Sequence, residues 1–132
     1  MDSIEFLTFQ DVLDIHADQL ARHGGRDGFI DRTVVESAVF QPGQMFGGQY
    51  LHEDIAEMAA AYLYHLSASQ GFVDGNKRTA AASATEFLAR DGYYLADCPW
   101  EELYDVTMRV ATSHMDKSRA AAWFREKLAP LP

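Results

Sequence analysis

Cysteine is almost missing from this chain: Cys98 is the one thiol among 132 residues. An internal disulfide is excluded, and such sparing use of cysteine suits a reducing, cytoplasmic setting. Cys98 precedes Pro99-Trp100 and has no histidine close by in the chain, so it is expected to be a buried packing residue and not a nucleophile. Basic residues are also scarce. Against 20 Asp and Glu there are 11 Lys and Arg, a net charge of −9. That balance argues against a general nucleic-acid binder, which needs a basic face, and equally against docking on an anionic membrane. Long hydrophobic runs are lacking as well. The longest apolar stretch is interrupted by Glu57 and His65 and is too short to span a bilayer. The N-terminal Met1-Asp2-Ser3-Ile4-Glu5 has neither a basic start nor an apolar run, so no secretory leader is expected there. Repeats, low-complexity tracts and linkers are absent.

What the chain does have is apolar residues, at 48%, enough for a core at the length of one ordinary domain over 1–132. Their spacing predicts an all-α fold of six helices with a short β-hairpin flap. Thr8, with Asp11 three residues on, starts a first helix that Gly24-Gly25 stops. Asp31 caps a second, carrying Val34, Val35, Ala38 and Val39 and closed by Pro42-Gly43. Residues 43–51 are rich in glycine and apolar side chains and read as the flap. A third helix is expected over 53–69, apolar nearly all round and therefore central. A fourth, alanine-rich, is expected over 79–90. Pro99 fits the first turn of a fifth, and Asp116 caps a sixth whose Ala120, Trp123, Phe124 and Leu128 face inward. Val106, Met108 and Val110 are either core or interface.

Between the third and fourth helices lies Gln70-Gly71-Phe72-Val73-Asp74-Gly75-Asn76-Lys77-Arg78-Thr79. A plain turn needs a cap and a glycine; this one carries a carboxylate, an amide and two cations. Backbone N–H groups at a helix start favour phosphate. Gly75 lets backbone approach a ligand closely, Arg78 offers a planar fork for phosphate oxygens, and Lys77 a mobile point charge. Asp74 has the hard oxygen that magnesium prefers. The bland alternative makes Asp74 a cap and leaves Lys77 and Arg78 solvated. Phe72 weighs against it, because an apolar anchor pins the loop to the core.

These residues resemble the Fic/Doc family, and within it the death-on-curing (Doc) toxins. The family loop reads H-x-F-x-(D/E)-(G/A)-N-(G/K)-R, and the chain fits it from Phe72 to Arg78 but not at its first position, Gln70. Phe6-Leu7-Thr8, Val12-Leu13-Asp14-Ile15-His16, Gly24-Gly25, Val35-Glu36-Ser37-Ala38, Phe46-Gly47-Gly48 and Phe87-Leu88 continue the likeness over residues 4–95. The resemblance implies a helical fold around the loop, ATP with Mg2+, and a flap at 43–51 that aligns a segment of a target protein. By position, Asp74 would hold the metal, Asn76 and Arg78 the phosphates, and the Gly75 backbone an anion hole. Lys77 and Ala81 match the Doc subgroup and not the members that transfer a nucleotide. The resemblance therefore implies phosphate transfer from ATP to a protein hydroxyl, on a translation elongation factor. It also implies an antitoxin partner whose disordered tail folds onto the toxin.

Gln70 stands where the family has its catalytic histidine, and Gly71 where proline is common. An amide cannot take a proton from an attacking hydroxyl near neutral pH. His65 is placed to point elsewhere, and His16, His23, His52 and His114 read as surface or packing residues. Three readings of Gln70 stay open: a natural change leaving a binding relic, slow chemistry in which the amide orients the acceptor, or a deliberate disarming. The competing functions are accordingly a Doc-like kinase toxin, a non-catalytic module that binds nucleotide or a partner, and a plain helical domain.

Overall fold

A computed structural model describes residues 3–132. Met1 and Asp2, part of the segment expected to hold no leader, lie outside the described residues. Six helices account for most of the described residues. The helix α1 (Phe9–His23) opens on a capping box: Thr8 accepts from the Asp11 N–H and Asp11 from that of Thr8. Asp31 caps α2 (Arg32–Phe40), which runs into one 3₁₀ turn, Gln41–Gly43. The flap follows as β1 (Met45–Phe46) and β2 (Gln49–Tyr50), antiparallel, with Met45 opposite Tyr50. Its turn residues Gly47 and Gly48 have φ of 59° and 80°; positive values at both central positions are what a two-residue hairpin turn demands.

The central helix α3 (Ile55–Ser69) buries Met58, Ala59, Ala60, Ala61, Tyr62, Leu63 and Leu66. It starts two residues later than expected, because Asp54 is the cap and accepts from the Glu57 N–H while Glu53 stays outside. Helix α4 (Asn76–Arg90) packs beside it through Ala80, Ala81 and Ala84, side chains small enough to let two backbones approach. The Tyr62 hydroxyl, buried at the heart of this pair, accepts from the Leu7 N–H at 2.8 Å and ties the N-terminal segment to the core.

Helix α5 (Trp100–Ala111) begins after Pro99, which is its cap and not its first turn. Val106 and Val110 are core, whereas Met108 is exposed. Helix α6 (Lys117–Lys127) ends one residue before Leu128. Leu128 leaves the helix to join a strand: β3 (Tyr93–Leu95) pairs antiparallel with β4 (Leu128–Pro130). This second small sheet comes in addition to the expected six helices and flap, both of which are present. Cys98 is a correction. It is half-buried and lines a cleft beside β3, with burial pushing its thiol above the usual range. Among the described residues no helix is long and apolar enough to cross a membrane.

Candidate active site

Helix α3 ends at Gln70, whose φ of 49° puts it in the left-handed region. That twist turns the chain away from the helix and delivers Gly71-Phe72-Val73-Asp74-Gly75 as a tight loop. The loop is held from three sides. The Phe72 ring stacks on the His16 imidazole, centroids 3.7 Å apart, and on Phe29 at 5.4 Å. His16 Nε2 lies 2.8 Å from the Asp74 carbonyl oxygen. Along the other edge, the Gly71 carbonyl accepts from the Ile30 and Asp31 N–H groups and the Gly28 carbonyl from that of Val73. Asp74 Oδ2 accepts from the Arg26 N–H at 2.7 Å. A loop with this many partners is preorganised.

Helix α4 starts at Asn76, three residues before the expected Thr79, because Gly75 (φ 83°) takes the cap position. Lys77 and Arg78 therefore sit on the first helical turn. Unlike Thr8, Asp31, Asp54 and Asp116, Gly75 has no side chain to satisfy the N–H groups of that turn. The site residues Gln70, Asp74, Gly75, Asn76, Lys77 and Arg78 line one cleft of about 290 Å³, together with Val73 and Tyr104 of α5. Phe72 faces the core below it, 2% exposed, as the anchor of the loop. The Asn76 amide closes the loop on itself: Oδ1 accepts from the Phe72 N–H at 3.0 Å and Nδ2 donates to the Phe72 carbonyl at 2.9 Å. The Arg78 guanidinium carbon stands 5.4 Å from the Tyr104 ring centroid, and its buried Nε has no partner among the described residues. An unpaired buried donor on a guanidinium at an uncapped helix start fits an anion. The Asp74 carboxylate, which lines the same cleft, is the group with which a hard cation would fit.

His16, Tyr104 and the 26–31 segment belong to this site and were not singled out by sequence. His16 was read as surface or packing; it is buried, and it holds the loop through the Asp74 carbonyl across 58 positions of chain. No local pattern announces such a contact. His23 and His114 are exposed. His65 does point away from the cleft, bonded to Lys117.

The exchange of bonds at Asn76 gives a test of the loop. In Asn76→Asp an oxygen replaces the Nδ2 donor against the Phe72 carbonyl, leaving that carbonyl unpaired and facing negative charge. A loss of about 1–3 kcal/mol of unfolding free energy is expected in denaturant titration. An unchanged midpoint would mean the amide bonds do not hold the loop.

The geometry is that of a helical domain with a polar loop opening onto an uncapped helix start. The chain belongs to the Fic/DOC family, whose model matches residues 6–88. It is similar to the protein kinase doc of Escherichia phage P1, with 31% identity over 116 residues covering 88% of this chain and 90% of that protein. It is also similar to the toxin Doc of Mycolicibacterium smegmatis, with 35% identity over 119 residues and 89% of each chain covered.

Proposed function

We propose that the chain, folded as one domain, is a Doc-like toxin whose site is built to move the γ-phosphate of ATP onto a protein hydroxyl. The observation that carries the reading is the uncapped start of α4 with the unpaired Arg78 Nε and the Asp74 carboxylate in one cleft. The free N–H groups of Asn76, Lys77 and Arg78 would receive phosphate oxygens, as would the Arg78 fork. Asp74 would hold Mg2+, which when bound offsets phosphate charge. Lys77 places a further cation on the same turn. Gln70, at the rim, orients the acceptor hydroxyl without removing its proton. The flap at 43–51 leaves Met45, Phe46 and Leu51 exposed, and an apolar cleft of about 570 Å³ adjoins it, lined by Phe6, Phe9, Val39, Phe40 and Met45. These surfaces suit a target segment, for which a translation elongation factor is the proposed source, and the tail of an antitoxin.

A second reading is favoured by Gln70 itself: a module that binds nucleotide or a partner and turns nothing over. The two separate with γ-labelled and α-labelled ATP, Mg2+ and a bacterial lysate, using the chain as it stands and as Gln70→His. Protein labelling from γ-labelled ATP, none from α-labelled ATP, and loss of labelling in Asp74→Ala are expected. Labelling from α-labelled ATP would replace phosphate transfer by nucleotide transfer. Absence of labelling by both forms, with ATP still bound, would establish the binding module.

A further inference from the structure

Helix α5 lies beside α4 and runs against it. Tyr104 stands by Arg78 at the start of α4, and Trp100, one turn earlier in α5, shares a cleft with Thr85 and Ala89 near the end of α4. Thr85 is seven positions after Arg78 and Ala89 eleven. At about 100° per residue, both return to within about 20° of the direction of Arg78, so the three lie on one stripe of the helix. Thr85 is about 10 Å beyond Arg78 along the axis.

This second cleft, of about 290 Å³, differs in character from the loop cleft. Tyr93, Tyr94 and Leu95 of β3 line it with Trp100 and Leu103 of α5, and among the described residues no charged side chain does. The polar groups of its lining at Thr85 and Cys98 are already engaged. The Thr85 hydroxyl donates to the Ala82 carbonyl at 2.9 Å, and the Cys98 thiol to that of Pro99 at 3.7 Å. What the cleft offers is flat apolar surface. Trp100 is 39% exposed and Tyr94 43%, so ring area is left open there. Trp100 also joins this cleft to the loop. Its ring stacks on Tyr104, centroids 6.4 Å apart and planes 27° from parallel. Tyr104 lines the loop cleft and has the Arg78 guanidinium carbon 5.4 Å from its own ring centroid.

One occupant of both clefts must therefore have an anionic end, a flat apolar end and about 10 Å between them. We propose that the cleft between β3 and the start of α5 is the base subsite of a nucleotide, taking a purine by stacking against Trp100 and the β3 tyrosines. The inference rests on the phosphate-binding reading of the loop and adds where the other end of the nucleotide lies. The terminal phosphate is at the Gln70 rim and the inner phosphates at Arg78. The ribose crosses the α4 stripe at Ala82, whose side chain is only a methyl group. An aromatic wall accepts a base through its π-face and asks nothing of its hydrogen-bonding edge.

The test compares ATP with inorganic tripolyphosphate, each with Mg2+, on the whole protein by calorimetry. The unaltered chain is expected to bind ATP more tightly. In Trp100→Leu the affinity for ATP is expected to fall at least about fivefold, the lower worth of one base–aromatic stack, while that for tripolyphosphate holds. Equal affinities in the unaltered chain would overturn the base subsite and leave the phosphate reading standing. So would equal losses for both ligands in Trp100→Leu, because Trp100 would then act only through Tyr104 and Arg78. Binding of neither ligand by the unaltered chain would overturn the phosphate reading and this one with it. A second measurement needs no variant. Photolabelling with 8-azido-ATP, read by peptide mass spectrometry, is expected to mark residues 93–103. Labelling confined to other segments would place the base elsewhere and overturn the proposal even if Trp100→Leu does not fold.

Discussion

Gln70→His is expected to raise phosphate transfer by about 10²–10⁴, the usual worth of a positioned general base. Position 70 terminates α3 in the left-handed region and lies at the rim of the loop cleft. Its side chain is exposed, so an imidazole there meets no packed neighbour. Histidine is also among the residues that tolerate positive φ best, so the exchange adds no backbone strain. What changes is basicity. The glutamine amide can receive a hydrogen bond from an acceptor hydroxyl but cannot keep the proton at neutral pH. The imidazole can, and transfers it onward as the new bond to phosphorus forms. On the proposed function residue 70 would address the acceptor and not the nucleotide, so the gain is expected in kcat, with KM for ATP nearly unchanged. Single-turnover transfer from γ-labelled ATP at matched protein and Mg2+ concentrations measures it. A gain below about tenfold would mean that orienting the acceptor is enough, as glutamine does for water in small GTPases. A large shift in KM would place residue 70 on the nucleotide instead.

The elements that were legible in the sequence are those whose causes are local. Thr8, Asp31 and Asp116 each present an oxygen to an N–H two or three residues on, and such a cap is written in adjacent letters. The all-round apolar surface of α3 showed its central place for the same reason. The flap was legible because Gly47-Gly48 permits two consecutive positive φ values. The start of α4 was not, since it depends on Gly75 adopting φ 83° so that Asn76 can fold back on Phe72. Nor was β4. Leu128-Ala129-Pro130 has the letters of a helix end, and only pairing with Tyr93–Leu95, more than thirty positions earlier in the chain, makes it a strand. The loop residues of the site were readable as a set, from Gln70 to Arg78. Their supports, His16 beneath Gly75 and Tyr104 beside Arg78, reach the loop through space from α1 and α5. A helix stripe cannot distinguish such a residue from ordinary packing.

Gly71→Ala is expected to destabilise the protein by about 1–3 kcal/mol, the range for overpacking a closed site. Position 71 is buried where the end of α3 crosses the start of α2. A methyl group there would overlap Val35 Cγ2 and stand 2.7 Å from Val34 Cγ2 and 2.9 Å from the Asp31 carbonyl oxygen. None of the three can move cheaply. Both valines are β-branched and stiff at χ1, Val35 is fully buried, and Asp31 is the cap of α2. The Gly71 carbonyl also accepts from the Ile30 and Asp31 N–H groups at 2.7 and 3.1 Å, so displacing residue 71 pulls the α2 cap with it. Proline brings the same Cβ. Gly71, having no Cβ, lets the two segments close here. Thermal unfolding of Gly71→Ala, Val35→Ala and the double variant isolates the cause. Removing the Val35 methyl groups makes room for the new one, so the double variant is expected to lose less than the sum of the two single losses. Strict additivity would show that the clash is relieved elsewhere, and that glycine at this position is not what seats α2 against the loop.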